Sequence, residues 1–233
     1  MLVLDGVEAG YGPSQVLFGV SLEVKTGEVV TLIGRNGMGK TTTIRALMGL
    51  IRPRAGTVTF DGQVVSGLAP HRIARLGIGL VPEGRQVFPT LTVEENLIAT
   101  AANRRNAPDP WTLLKVYMTF PRLQERRRQF ANTLSGGEQQ MLAISRALMT
   151  NPSLLILDEA TEGLAPIIRD DIWTCISALK EAGQSILVID KNLDALVKIA
   201  DRHVVLEKGR VVWTGTSDAL REDWDEIERR IGV

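Results

Sequence analysis

The sequence predicts an α/β fold built on a mostly parallel sheet, with an antiparallel β part near the N-terminus and a helical block in the middle. Three observations predict it. Short continuous apolar runs recur at 29–33, 78–81, 154–157 and 186–189, and such runs mark strands buried on both faces. In the C-terminal half these runs alternate with helical patterns, as the strands of a parallel sheet do. A glycine-rich stretch from Gly34 to Gly39 joins the first run to a helical one, the local order of a phosphate-binding loop.

The elements follow in order. Apolar residues alternate with polar ones at Leu2, Leu4 and Val7, then at Val16, Phe18, Val20, Leu22 and Val24. Period-two alternation predicts half-buried antiparallel strands, separated by the turn residues Gly10, Gly12 and Pro13. Lys25-Thr26-Gly27-Glu28 reads as a hairpin turn into the run at 29–33. A helix is predicted from about Lys40 to Met48, with Gly49 placed to end it. Thr57 to Phe60, the Asp61-Gly62 turn and Val64-Val65 predict another hairpin. Pro70 suits the first turn of a short helix ending near Leu76. From about 92 to 125 the pattern is mostly helical, broken by Asn106-Ala107-Pro108-Asp109-Pro110. Further helices are predicted from Gly137 to about Met149, after Pro166 and from Leu193, with a last strand at 204–206.

The 233 residues, 44% of them hydrophobic, suffice for one large core or two closely packed subdomains. Lys+Arg and Asp+Glu are both 27, so no basic field points to nucleic acid. One charged run stands out, 122–128, with arginines at 122, 126, 127 and 128. It reads as a solvated helix face or a contact for an acidic partner. The single cysteine, Cys175, excludes an internal disulfide and reads as core filler. No secretory leader is visible, and the apolar runs fall far short of the ~20 residues a membrane helix needs. If the chain works at a membrane, another chain holds it there.

Three motifs carry chemistry. Gly34-Arg35-Asn36-Gly37-Met38-Gly39-Lys40-Thr41-Thr42 fits the phosphate-loop pattern. Glycines let backbone N–H groups close on phosphate oxygens, and the helix N-terminus adds partial positive charge. Lys40 is suited to the outer phosphates and the Thr41 hydroxyl to Mg²⁺. The run at 154–157 ends in Asp158-Glu159. Asp158 is suited to hold Mg²⁺ through water, and Glu159 to polarise a water for attack on the terminal phosphate. The heptapeptide Leu134-Ser135-Gly136-Gly137-Glu138-Gln139-Gln140 opens a helix with a serine and two glycines, a second potential anion-binding terminus.

In this order, and over nearly the whole chain, these motifs resemble the ATP-binding cassette (ABC) ATPases. The resemblance implies one cassette over 1–233. A nucleotide-binding core with its antiparallel part would occupy 1–83 and 150–233, and a helical subdomain about 84–149. It implies ATP and Mg²⁺ as ligands, Tyr11 stacking on adenine, and Ser135, Gly136 and Gly137 touching the terminal phosphate of ATP held by another subunit. It implies a loop at 160–164 linking the two sites, and two such chains head to tail. The segment 81–97, with Glu83-Gly84-Arg85 and Leu91-Thr92-Val93-Glu94-Glu95-Asn96-Leu97, is similar to the shorter ATPase subunit of branched-chain amino-acid importers, as is the ending Ile231-Gly232-Val233. The partners so implied are a second ATP-binding subunit, identical or paralogous, and two membrane permeases docking on the helical block. A solute-binding protein acts indirectly, and the chain sits peripherally on the cytoplasmic face of the inner membrane. Related urea and short-amide importers share much of this segment, and soluble cassette ATPases share the motifs.

Two positions depart from the common family pattern. Glu83 stands where most members carry glutamine, and Lys191 where most carry histidine. The family's Gln senses metal and attacking water; its His contacts the terminal phosphate. With charges of −1 and +1, Glu83 and Lys191 would leave the site's net charge unchanged if both face the phosphate. At ~4 Å and an effective dielectric of ~20 they would interact by about 4 kcal/mol before desolvation.

Overall fold

The computed structural model describes residues 1–231, of which Arg230 and Ile231 by backbone alone. Gly232 and Val233 lie outside the described residues, so the C-terminal ending read from the sequence falls largely beyond it. Two sheets form the frame. The first is antiparallel and comprises β1 (Leu2–Tyr11), β2 (Ser14–Val24), β4 (Ala55–Phe60) and β5 (Gln63–Val64), in the order β2-β1-β4-β5. The second contains β3 (Val29–Ile33), β6 (Ile78–Val81), β7 (Leu154–Asp158), β8 (Ser185–Ile189), β9 (Arg202–Glu207) and β10 (Arg210–Gly215), in the order β10-β9-β3-β8-β7-β6. It is parallel except for β10, which returns antiparallel to β9.

The continuous apolar runs have the predicted cause. In β3, Val29 and Ile33 face one core while Val30 and Leu32 face the other. Leu155 and Leu157 are divided from Leu154 and Ile156 in the same way. One core lies between the two sheets, with α1 (Lys40–Leu47) and α2 (Pro70–Arg75). The other lies under α6 (Gly136–Leu148), α7 (Pro166–Glu181) and α8 (Leu193–Ile199). It extends into the helical block of α3 (Val93–Thr100), α4 (Leu113–Thr119) and α5 (Pro121–Glu125). Two C-terminal helices, α9 (Ser217–Glu222) and α10 (Trp224–Ile231), complete the chain.

Two sequence expectations are corrected. Lys25-Thr26-Gly27-Glu28 is a turn, with Glu28 N–H donating to Lys25 O at 3.2 Å, but it is not a hairpin. It carries the chain from one sheet to the other, because β2 buries one face and β3 buries two. The alternation in β2 also slips. Leu17 and Val20 are buried while Val16 and Phe18 are half-buried, and Gly19 has φ 79° between them. The pairing of β1 with β2 shifts register there, as bulges require.

Candidate functional site

The Gly34–Gly39 loop leaves the C-terminal end of β3 and enters α1. Gly37 and Gly39 have φ 81° and 105°, open to glycine at little cost. Gly39 is also packed: a Cβ there would lie 2.8 Å from the Leu17 side chain. The β9–β10 turn braces the loop, since Gly209 N–H donates to Met38 O at 3.0 Å. Lys40 is buried, and its Nζ donates to Gly34 O at 2.7 Å and to Arg35 O at 3.2 Å. Burial lowers its pKa, opposed by the Glu159 carboxylate, whose Oε1 is 3.9 Å away.

Asn36, Gly37, Lys40, Thr41 and Thr42 line a cleft of about 260 Å³, and Glu83, Glu159, Glu162 and Lys191 form its other wall. Strand ends bring these together: β6 leads to Glu83, β7 to Asp158 and Glu159, and β8 to Lys191. Ligands bind at the carboxyl ends of parallel strands in this fold class. Glu159 is held at φ 50°, a left-handed conformation that costs a non-glycine residue about 1–2 kcal/mol. Its N–H donates to Ile189 O at 2.8 Å, which ties the strained residue to β8.

The carboxylates differ in environment. Asp158 is 3% exposed and its Oδ1 has no hydrogen-bond partner. Burial, reinforced by nearby Glu83, pushes its pKa up to about 6. Glu159 is pushed up to about 7, by burial first and then by Glu162, against the pull of Lys191 and Lys40. Glu162 is held low by its contacts with Glu159 and Lys191. A buried carboxylate oxygen with no donor, at the end of the strand that delivers Glu159 to the cleft, fits a hard divalent cation with oxygen ligands.

Lys191 reaches this wall, but its partners are not the one the sequence suggested. Its Nζ pairs with Glu162 and lies 3.5 Å from Glu159 Oε2. Among the described residues no Glu83–Lys191 ion pair is formed. Carboxylate oxygens of Glu83, Glu159 and Glu162 lie within 4.8 Å of one another. Glu162 therefore adds a negative charge to the wall, and Lys191 balances Glu159 and Glu162 directly rather than Glu83.

Ser135, Gly136 and Gly137 lie apart from this cleft, at the start of α6. Ser135 is the N-cap and forms a reciprocal capping box with Glu138. The glycines admit close neighbours. A Cβ on Gly136 would meet Arg85 Nη1 at 2.1 Å, and one on Gly137 would meet Ile168 at 2.7 Å. Tyr11, at the end of β1, is 43% exposed and sits at the edge of the cleft, its hydroxyl 3.5 Å from Thr42 Oγ1. Arg45 Nη1 donates to its hydroxyl at 3.1 Å. Arg35 is exposed at the rim of the loop.

Two residues escaped the sequence reading. Glu162 lies in the loop singled out at 160–164, but nothing in the pattern distinguished it. Arg85 (φ 51°) sends its guanidinium across to Gly136 and donates to Gly163 O at 3.3 Å. It bridges the loop after β6, the α6 terminus and the 160–164 loop. A basic residue two positions after Glu83 was the available signal.

Residues 17–162 match the sequence profile of the ABC transporter family. The chain belongs to that family. The cassette is 47% identical over 220 residues to the high-affinity branched-chain amino acid transport ATP-binding protein BraG of Pseudomonas aeruginosa, covering 94% of each chain. It is 33% identical to the lipopolysaccharide export system ATP-binding protein LptB of Haemophilus influenzae, covering 98% of this chain and 95% of that one. A nucleotide-free ATP-binding cassette from an ABC transporter superposes with a TM-score of 0.85 at 26% identity, over 99% of this chain and 97% of that one. The cassette is thus an ATP-binding, ATP-hydrolysing α/β domain. Among the described residues no helix is long and apolar enough to cross a membrane.

Proposed function

We propose that this cassette is the ATP-hydrolysing subunit of an ABC importer for branched-chain or other hydrophobic amino acids. The observation that carries the cargo assignment is the 47% identity to BraG over 94% of both chains, against 33% to LptB. The family alone spans import and export, so the cargo rests on that difference.

The single cassette organisation and the site roles belong to the same proposal. The 34–39 loop and Lys40 hold the phosphates of ATP, and Tyr11 stacks on adenine. Thr41 and Asp158 would hold Mg²⁺, with Glu83 nearby, and the bound ion would supply positive charge against the phosphate oxygens. Glu159 orients and deprotonates the attacking water, for which a pKa raised to about 7 is well matched. Lys191 restrains Glu159 and Glu162 and faces the terminal phosphate. Ser135, Gly136 and Gly137 serve an ATP held by a second ATP-binding subunit, identical or paralogous, in a head-to-tail dimer.

Two permeases would dock on the helical block, with a solute-binding protein acting from the far side. This chain would lie peripherally on the cytoplasmic face of the inner membrane. ATP then drives permease switching through its preference for the closed dimer. The experiment is purification from membranes with the attached chains identified, and hydrolysis measured for the wild type and Glu159→Gln. Permeases in the complex and a loss of hydrolysis in the variant support the reading. Isolation of the chain without membrane proteins points instead to a soluble cassette ATPase.

A further inference from the structure

The basic run at 122–128 is absorbed by none of the roles above, and the structure shows where part of it goes. Arg126 follows α5 and forms an ion pair through Nε with Glu138 Oε1. It also donates from Nη1 to Gln129 Oε1 at 3.2 Å. Glu138 lies in the first turn of α6 and is only 6% exposed. Its Oε2 accepts from Ser135 N–H at 2.9 Å and from Ser135 Oγ–H at 2.8 Å. Glu138 N–H returns a bond to Ser135 Oγ at 3.4 Å. Burial opposes ionisation of Glu138, but the Ser135 hydrogen bonds and Arg126 outweigh it and hold the pKa below the ordinary value. The first turn of α6, which opens with Gly136 and Gly137, therefore carries a buried carboxylate bonded to the Ser135 N–H and hydroxyl.

This arrangement poses an electrostatic problem. A helix N-terminus attracts phosphate with roughly half a positive charge. A full negative charge in the same turn cancels that attraction and repels a terminal phosphate. We propose that Arg126 is a positioning residue that neutralises Glu138 and so makes the Ser135–Gly136–Gly137 terminus attractive to ATP bound by the partner cassette. The inference rests on the composite-site reading above. It gives Glu138 two roles that Arg126, paired with its carboxylate, reconciles: Glu138 fixes the Ser135 hydroxyl, and its charge would otherwise oppose the ligand. It also connects the α5 segment, in the helical block, to the terminus by one ion pair. A displacement of that segment would change the charge presented to the phosphate.

A double-mutant cycle in the purified membrane complex tests this. The ATP concentration for half-maximal hydrolysis and kcat are read for wild type, Arg126→Ala, Arg126→Lys, Glu138→Gln and the Arg126→Ala/Glu138→Gln double variant. Arg126→Ala should raise the half-maximal ATP concentration about tenfold, the upper range for a charge at a partly buried helix terminus. Arg126→Lys should recover most of that loss. With Glu138→Gln present, Arg126→Ala should change it less than about twofold, since no charge remains to neutralise. A merely structural Arg126 would cost as much in both backgrounds and would not be rescued by lysine, and that result overturns the inference. Ser135→Ala tests the composite site separately. If Ser135→Ala impairs hydrolysis while Arg126→Ala is silent, the inference alone fails. If Ser135→Ala leaves hydrolysis unchanged, the composite-site reading and the inference fall together.

Discussion

Glu159 concentrates the chemistry of the cleft. It is strained, nearly buried and shared among Lys40, Lys191 and Glu162. Glu159→Gln removes the base and should lower hydrolysis at least about 100-fold, the low end for general-base catalysis, while nucleotide binding to the lone chain is retained. Fluorescent-nucleotide titration beside a steady-state assay checks both halves. The two signature glycines should separate by what they touch. A Cβ on Gly136 meets the end of a flexible arginine, whereas one on Gly137 meets the packed side chain of Ile168. Gly137→Ala should therefore destabilise by about 1–3 kcal/mol, and Gly136→Ala by less, in thermal melts of the isolated chain. At this scale the sequence was most readable where chemistry needs a fixed residue type at a fixed spacing: Lys40, Thr41, Asp158 and Glu159. Glu162 and Arg85 were not readable, because their contacts depend on loops meeting in space. Lys191 stands out in the sequence, but its partners in space are Glu159 and Glu162 rather than Glu83.

Elements transmit these constraints through polar groups buried between them. Asn96, in α3, is fully buried and satisfied: its Oδ1 accepts from Phe88 N–H at 2.8 Å, and its Nδ2 donates to Phe88, Leu91 and Thr92 carbonyls. It holds the loop that follows Glu83 and Arg85 against the helical block. Asn96→Ala would strand those backbone groups and should cost about 1–3 kcal/mol, read by denaturant unfolding. His203, in β9, is likewise fully buried and bridges Thr31 Oγ1 of β3 at 2.7 Å and Ser217 Oγ of α9 at 2.9 Å. Burial, aided by Arg221, brings its pKa down to about 4. An unfolded histidine near 6.5 binds protons first, so this contribution is full above that pH and is lost on acidification towards 4. At pH 5 the loss is about 2 kcal/mol. Asp158 and Glu159, with raised pKa values, act in the opposite sense. The diagnostic quantity is thus the difference between wild type and His203→Gln, which should narrow as pH falls from 7.5 to 5. Element identity was legible from periodicity, and the strands buried on both faces most clearly. Sheet membership was not. The turn at 25–28 has the local chemistry of a hairpin, and only packing decides that β3 joins another sheet. The strand β10 also went unread, because its residues are half-buried without clean alternation and the turn before it is Lys208-Gly209 rather than a strong hairpin pair.

For the whole molecule, the cleft and the α6 terminus are distinct sites on one chain, and the family reading assigns them to two different ATP molecules. The parallel sheet gathers Lys40, Asp158, Glu159 and Lys191, while α6 presents Ser135 and its glycines from the helical side. Arg85, bridging the β6 loop, Gly136 and Gly163, links the two regions within the chain, and Arg126, bound to Glu138, joins the α5 segment to the α6 terminus. Hydrolysis at Glu159 is expected to power movement of a hydrophobic amino acid across a membrane. The most direct measurement is ATP-dependent uptake of a labelled branched-chain amino acid by liposomes containing the co-purified complex and its solute-binding protein. Uptake is expected with the wild-type cassette and its loss with Glu159→Gln. Uptake undiminished by that substitution, or hydrolysis unaccompanied by uptake of any hydrophobic amino acid, would contradict it.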